Sequence, residues 1–364
     1  MGFYLNRISK LRSGLKNKNI DAALIIPGPN LRYFTGFKVE AFERLLTLII
    51  PTYSSELSLI TPMLEYERAK ALGIEGLSII GYRDDEDPYE ILVKRLKDAG
   101  AEVVGVEGFM PFRTVSKLLK AGFRLTEVDD LVYSMRITKD TYEVELMRRA
   151  SRIDEEAIKE GFRNLKSGLT EKEVSRIVRE KAEELGAEEV PFCVVQSGPN
   201  TALPHAESSS RRIEVGDVVL FDVGVRVEGY FADITRTVVL GEPKPEHMKI
   251  YNIVKEAQER AIKAVKPGVT AESIDATARN IIEESGYGEY FIHRTGHGLG
   301  LEVHEEPYIR AGNKMVLKEG MAFTVEPGIY LPGKFGVRIE DDIVVTKDGF
   351  EDLTKLSKSL TDIS

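Results

Sequence analysis

Residues 215–239 read VGDVVLFDVGVRVEGYFADITRTVV and place two acids in strand-forming surroundings. The apolar, β-branched run near the start predicts a buried strand, and Asp222 follows it directly. Gly224 and Gly229 then predict a turn into a second strand, which carries Asp233. Because an unpaired charge is costly to bury, two such acids need a cation or protons. By itself the hairpin also fits a plainer interpretation, in which one acid caps the turn.

A second stretch, residues 316–346, repeats this pattern and favours the first interpretation. The matched pairs, all at one offset, are Gly216 with Gly320, Asp222 with Glu326, and Gly224 with Gly328. Asp233 aligns close to Glu340 after a slightly longer loop, and the upstream sequences that begin at Gly168 and Gly268 also match. An internal duplication with a pseudo-twofold axis would bring four carboxylates together. Two divalent ions, bridged by carboxylates, would supply the positive charge that such a cluster needs.

The chain has 364 residues, which by the soft prior of roughly 150 residues per domain predicts two domains. Residues 1–128 alternate strand and helix patterns and predict an α/β domain, residues 129–139 form a junction, and residues 140–364 hold the duplicated domain. The predicted strands of the first domain are 22–26, 45–50, 57–60, 77–80 and 103–106, and its later helices lie near 64–72, 89–99 and 111–121. The first of these strands is predicted to stop at the run Pro27-Gly28-Pro29. This domain contains no histidine, so we assign it no chemistry of its own.

Composition limits the possible partners and location. The formal net charge is -9, which argues against nucleic acid because phosphate binding needs a basic patch. No segment approaches the roughly 20 apolar residues of a membrane span, and the N-terminus lacks the apolar core of a signal peptide. The single cysteine, Cys193, lies in an apolar run, which predicts a buried structural thiol in a reducing compartment. We therefore expect a cytoplasmic protein without a membrane partner.

The sequence contains five histidines. His247 lies in a polar stretch and is predicted at the surface, whereas His205, His293, His297 and His304 flank the acidic stretches. His293 and His297 stand four apart, but the glycines around them argue against a helix, and the Glu of the helical zinc motif is missing. Glycine on both sides of His297 lets the backbone approach a bound ion, which suits one imidazole ligand beside four carboxylates. The plainer alternative is a turn histidine bonded to backbone.

In order and spacing, Asp222, Asp233, His297, Glu326 and Glu340 resemble the five ligands of the pita-bread metallopeptidases, the family of methionine aminopeptidase, aminopeptidase P and prolidase. The resemblance covers nearly the whole chain, since the first domain is similar to the creatinase-type N-terminal domain. It implies an α/β creatinase-like domain followed by an α+β pita-bread catalytic domain with an internal pseudo-twofold duplication.

By that resemblance, Asp222 would bind one of two divalent ions, Asp233 and Glu340 would bridge both, and His297 and Glu326 would complete the second site. Mn or Co is expected, and Zn or Fe is also compatible with this donor set. A hydroxide bridging the ions would attack the peptide carbonyl.

The resemblance also implies catalytic roles for Glu326 as general base and for His205 and His304 as an oxyanion donor and a substrate-orienting group. Arg338 stands two residues before Glu340, which predicts the same strand face.

Arg338 could anchor a substrate carboxylate or hold a ligand in place. It is the first candidate for binding the C-terminal carboxylate of a dipeptide, with His293 and His205 next.

The activity implied by the resemblance is hydrolysis of Xaa-Pro bonds in short proline-containing peptides, above all Xaa-Pro dipeptides, by a homodimer. One alternative is an aminopeptidase P acting on longer Xaa-Pro peptides. Another is a methionine aminopeptidase, which usually lacks the first domain. A non-catalytic peptide-binding module is expected to lose ligands, and here all five are present.

Overall fold

The computed structural model describes residues 2–40 and 42–360. The chain divides into two compact units, Met1–Arg136 and Ile137–Ser364. Within the described ranges, no helix is long and apolar enough to cross a membrane.

The first unit is an α/β structure. Its helices are α1 Gly2–Asn17, α2 Pro29–Thr35, α3 Tyr66–Lys70, α4 Pro88–Asp98, α5 Phe112–Lys120 and α6 Asp129–Arg136. Its strands are β1 Ala22–Ile25, β2 Thr47–Pro51, β3 Leu57–Pro62, β4 Leu77–Tyr82, β5 Val103–Val106 and β6 Arg124–Glu127. They form one sheet in the order β4-β3-β2-β1-β5-β6. Strand β1 lies inside this sheet and is buried throughout, as its uninterrupted apolar sequence predicts.

All five predicted strands of this unit are present, but three elements were not predicted. Helix α2 begins at Pro29, which was predicted only as part of the stop after β1. Proline is favourable at the first helical position because its missing N–H would have no helical partner there. Strand β6 carries charged residues at both ends, since it lies at the sheet edge. Residues Asp129–Arg136, predicted as junction, form helix α6.

The second unit contains α7 Thr141–Asn164, α8 Glu171–Glu184, α9 Pro245–Lys263 and α10 Ala271–Glu284. Its strands are β7 Glu189–Ser197, β8 Val218–Val227, β9 Tyr230–Val239, β10 Gly296–Gly298, β11 Glu305–Ile309, β12 Ala322–Val325, β13 Gly328–Leu331, β14 Phe335–Arg338, β15 Asp341–Val345 and β16 Phe350–Asp352. The three sheets have the orders β7-β8-β9, β11-β10-β12-β15-β16 and β13-β14.

The predicted duplication is visible as matched backbone hydrogen bonds. The N–H of Gly168 donates to the carbonyl of Ile213 at 2.9 Å, and the N–H of Gly268 donates to the carbonyl of Leu317 at 2.9 Å. Each bond ties the segment before a helix, α8 or α10, to the segment before a strand, β8 or β12. One apolar core packs α7 and α8 against β7–β9, and the other packs α9 and α10 against β12–β15.

The first hairpin differs from the prediction at Gly224. Strand β8 continues through Gly224 to Val227, and the turn lies at Glu228 and Gly229. A Cβ on Gly224 would lie 2.3 Å from ring atoms of Phe192 on the neighbouring strand. Glycine is therefore needed here for close packing and not for turning the chain.

The prediction that His247 lies at the surface is wrong. His247 stands in the first turn of α9 and is 6% exposed. Its ring packs edge-on against Phe335 with centroids 4.8 Å apart, and its Nδ1 accepts the N–H of Lys244 at 3.3 Å. The polar neighbours suggested a loop, but the imidazole caps a helix and fills the space beside β14.

Candidate active site

Asp222 and Asp233 lie on the two strands of the first hairpin. Asp222 is opposite Thr235 and Asp233 is opposite Gly224. Side chains of opposite residues project to the same face, and the face repeats every second residue. The carboxylates of Asp222 and Asp233 and the hydroxyl of Thr235 therefore share one face of the hairpin.

Glu326 and Glu340 meet at the end of a second strand pair. Val325 of β12 is opposite Asp341 of β15. Glu326 directly follows Val325, and Glu340 directly precedes Asp341, so the two glutamates are neighbours. Thr235 joins them to the first hairpin: its hydroxyl donates to Oε2 of Glu340 at 2.7 Å, and its carbonyl accepts the N–H of Glu340 at 3.1 Å.

His297 lies in the short strand β10, so the predicted absence of a helix there is confirmed. The flanking glycines serve close strand packing. A Cβ on Gly296 would lie 1.9 Å from the carbonyl oxygen of Thr324, and one on Gly298 would lie 2.3 Å from that of Glu306. These contacts are with neighbouring backbone, whereas the predicted role of the glycines was to let the backbone approach a bound ion.

The orientation of the His297 ring fits a bound cation. Nδ1 lies 3.1 Å from the carbonyl oxygen of Gly298, while Nε2 lies 3.6 Å from Oδ2 of Asp233 and 3.4 Å from Oε1 of Glu326. Burial, followed by the nearby His304, lowers the pKa of His297 well below its ordinary value. With the proton on Nδ1, the lone pair of Nε2 faces two carboxylates. A cation between them removes this repulsion.

The acids themselves fit the same interpretation. Burial raises the pKa of Asp233 and Glu340 well above the ordinary values, and the neighbouring carboxylates add to the effect. Burial likewise raises the pKa of Glu326 to about 7. Ligand atoms of Asp233, His297 and Glu340 lie within 4.8 Å of one another, and Oδ1 of Asp233 is buried without a hydrogen-bond partner among the described residues. These residues fit divalent ions.

Arg338 is bonded within the site through all three guanidinium nitrogens. Nη2 donates to Asp222 at 2.6 Å, Nε donates to the hydroxyl of Thr235 at 3.0 Å, and Nη1 donates to the hydroxyl of Tyr330 at 2.9 Å. Strand β14 ends at Arg338, so Glu340 lies outside that strand, but both side chains meet the hydroxyl of Thr235. The contacts favour the second of the two predicted roles, in which Arg338 holds a ligand in place.

The remaining three predicted histidines also line the cleft. Nε2 of His293 lies 2.8 Å from the hydroxyl of Tyr330, and burial, aided by Arg338, lowers the pKa of His293 to about 4. The ring of His304 packs edge-on against His297 with centroids 4.2 Å apart, yet this residue is exposed. Exposed His205 follows the short helical turn Gly198–Ala202.

The cleft has a volume of about 510 Å³ and brings together all nine predicted site residues. These are Asp222, Asp233, His297, Glu326, Glu340, His205, His293, His304 and Arg338. Phe192, Val194 and Val303 add apolar surface, which suits the side chains of a small peptide.

Sequence reasoning missed two polar residues of this region. Arg294 lines the cleft, and its position between two candidate histidines could have drawn attention to it. Tyr330 bonds both His293 and Arg338, but no sequence spacing indicates that contact.

Two further acids position the site segments. Oδ1 of Asp275 accepts the hydroxyl of Thr295 at 2.7 Å, and the carbonyl of Thr295 accepts the N–H of Glu326 at 2.7 Å. In the other half, the fully buried Glu171 accepts the N–H and the hydroxyl of Ser197 at 2.7 and 2.8 Å. Each half thus anchors a segment of the site region through an acid on its second helix.

Four carboxylates and an imidazole in one cleft of a duplicated α+β unit, together with an α/β first unit, define a metal-dependent hydrolase. The chain belongs to metallopeptidase family M24: residues 145–347 match that family, and residues 7–138 match the Creatinase/Prolidase N-terminal domain. The predicted family and fold class are confirmed, and membership implies divalent metal ions.

Individual relatives agree with this assignment. An uncharacterized peptidase of Staphylococcus aureus is 40% identical over 97% of this chain and 100% of its own length. A crystal structure of prolidase from Thermococcus sibiricus is 42% identical, covers 98% of each chain and has a TM-score of 0.93. The X-Pro aminopeptidase from Thermotoga maritima is 38% identical over 94% of this chain and 97% of its own, with a TM-score of 0.84.

Proposed function

We propose that this metallopeptidase hydrolyses Xaa-Pro dipeptides. The observation that carries the chemistry is the position of His297 Nε2, 3.6 Å from Asp233 and 3.4 Å from Glu326, which suits a cation held between them. The substrate class is supported by similarity to the prolidase from Thermococcus sibiricus. A Xaa-Pro bond has no N–H, so a site selects it by offering no acceptor at that nitrogen and by fitting the fixed ring.

Five residues would hold two divalent ions, Mn or Co first and Zn or Fe as alternatives: Asp222, Asp233, His297, Glu326 and Glu340. When bound, such ions polarise the peptide carbonyl and activate water. Glu326 accepts a proton as general base. His304 donates to the developing oxyanion, and His205 orients the substrate or assists departure of the proline nitrogen.

Aminopeptidase activity on longer Xaa-Pro peptides is the second candidate, supported by similarity to the X-Pro aminopeptidase from Thermotoga maritima. Met-Ala-Ser cleavage, expected of a methionine aminopeptidase, is a weaker candidate because residues 7–138 match the Creatinase/Prolidase N-terminal domain. We further propose a homodimer in the cytoplasm. The buried, free Cys193 is compatible with a reducing compartment.

A peptide panel tests these proposals. The protein is stripped with a chelator and then supplied with Mn²⁺ or Co²⁺, and release of the first residue is measured from Leu-Pro, Met-Pro, Leu-Ala, Leu-Pro-Gly and Met-Ala-Ser. We expect metal-dependent cleavage of Leu-Pro and Met-Pro, slower cleavage of Leu-Pro-Gly and poor cleavage of Leu-Ala. Preference for Leu-Pro-Gly supports the aminopeptidase instead, and full activity without metal contradicts the mechanism.

A further inference from the structure

Only two cationic side chains with a permanent charge, Arg294 and Arg338, line the cleft among the described residues. A dipeptide differs from a longer peptide in its free C-terminal carboxylate, which lies one residue beyond the scissile bond. One residue spans at most about 3.6 Å, so the group that recognises this carboxylate must belong to the same cleft.

Arg338 is poorly suited to this task. Its side chain is 6% exposed, and its three nitrogens donate to Asp222, Thr235 and Tyr330. Turning the guanidinium towards a substrate would leave Asp222 without its partner. His293 is also unsuitable, because its Nε2 is bonded to Tyr330.

Arg294 has the opposite character. Within the described part of the chain, no carboxylate forms an ion pair with it, and its guanidinium lies over the ring of Tyr308 at 4.5 Å from the centroid. Stacking on an aromatic face restrains the planar group and leaves its N–H edges available. A carboxylate can accept two parallel hydrogen bonds from such an edge.

The backbone places Arg294 beside the metal-ligand cluster. Thr295, the next residue, accepts the N–H of Glu326 through its carbonyl at 2.7 Å. Arg294 also lines the same cleft as Glu326 and His304, so its side chain belongs to the reacting region.

We propose that Arg294, restrained by Tyr308, binds the C-terminal carboxylate of the substrate and thereby selects dipeptides over longer or amidated peptides. The inference rests on the proposed function and replaces the earlier candidates Arg338 and His293 in this one role.

The test measures carboxylate recognition without turnover. Full-length, metal-loaded protein is titrated by calorimetry with the reduced-bond analogue Leu-ψ[CH2N]-Pro and with its C-terminal amide. We expect the wild type to bind the acid at least tenfold more tightly than the amide. Arg294→Ala should abolish this preference by weakening only the acid, and Arg294→Lys should retain part of it because the charge stays but the planar fork is lost.

Arg310→Ala is the matched control, because this exposed arginine contacts only the carbonyl of Ala311 among the described residues. It should keep the full preference. Thermal unfolding of each variant verifies folding, and Arg294→Lys supplies the result if Arg294→Ala does not fold.

A wild type without preference for the acid overturns the proposal, as does an Arg294 variant that retains the preference or weakens acid and amide equally. Hydrolysis of Leu-Pro and Leu-Pro amide by the wild type is measured in parallel. If the wild type cleaves neither, the proposed function fails. If cleavage occurs but the binding ratio does not depend on Arg294, only the present inference fails.

Discussion

Nη2 of Arg338 donates a 2.6 Å hydrogen bond to Oδ2 of Asp222 and so joins the last strand before Glu340 to the first hairpin. Both side chains are largely buried, with 6% and 20% exposure. The guanidinium places a fixed positive charge next to the acid cluster and orients one of its carboxylates. Arg338 therefore acts on the candidate metal ligands and is not free for substrate.

Arg338→Met should lower metal occupancy and destabilise the fold by on the order of 3 kcal/mol, because a buried carboxylate loses its partner. Metal content by mass spectrometry and thermal unfolding measure the two effects. Arg338→Lys, which keeps the charge without the three-way fork, should recover part of the stability. Unchanged metal content in Arg338→Met would refute the ligand-holding role.

Glu340→Ala should reduce metal occupancy towards one ion or none. Its carboxylate lies in the cluster with Asp233 and His297, where a bridging acid contributes to both ions. Metal analysis after dialysis measures the loss, and activity should fall with it. Glu319→Ala, a change at an exposed glutamate, is the control and should keep the full metal content. Two bound ions in Glu340→Ala would remove Glu340 from the ligand set.

His304→Ala should retain both metals and lose turnover. His304 packs against His297 but is exposed to the cleft, which suits an oxyanion donor. Loss of one preorganised donor costs on the order of 3 kcal/mol in the barrier, or about a hundredfold in rate. Steady-state kinetics with parallel metal analysis distinguishes the roles, since a fall in metal content would make His304 a ligand.

Asp154→Asn should stabilise the protein at neutral pH. Asp154 of α7 is fully buried, and neither carboxyl oxygen has a hydrogen-bond partner among the described residues. Burial, followed by the charge of Asp233, raises the pKa of Asp154 well above its ordinary value of 3.8. The folded state therefore favours the protonated form, and stability present below the ordinary pKa is lost as the pH rises through the folded-state pKa.

The side-chain amide of Asp154→Asn carries no titrating proton, so the variant avoids this loss of stability as the pH rises. The expected gain is about 1–3 kcal/mol at pH 8 and close to zero below pH 4. Thermal unfolding of metal-loaded protein at both pH values measures it, since burial, the larger cause of the shift, does not depend on the ions. Asp348→Asn, at an exposed position, should change neither value. Equal pH dependence in wild type and Asp154→Asn would show that Asp154 is not the cause.

Much of the fold could be predicted because its signals are local. The apolar runs of β1 and β5 predict buried strands, and the matched glycines Gly168 and Gly268 reveal the duplication through one chain conformation used twice. Helix α2 was missed because Pro29 was taken for a stop, although the same residue is favourable as a helix start. Pro29 can end a strand or begin a helix, and the local sequence is compatible with both. Packing of the helix decides between the two.

Residue type and spacing alone determined the candidate ligand set: the acids Asp222, Asp233, Glu326 and Glu340 stand at repeated positions along the chain, and His297 stands between two glycines. The tertiary structure decided which arginine is available to bind a substrate carboxylate. Arg338 is hydrogen-bonded to Asp222, which lies on a strand far away in sequence, whereas Arg294 is stacked on Tyr308. It also decided that Gly224 continues a strand under Phe192 and that His247 is buried against Phe335. Such outcomes depend on which side chains occupy the neighbouring space, and contacts between distant residues leave no periodic pattern in the sequence.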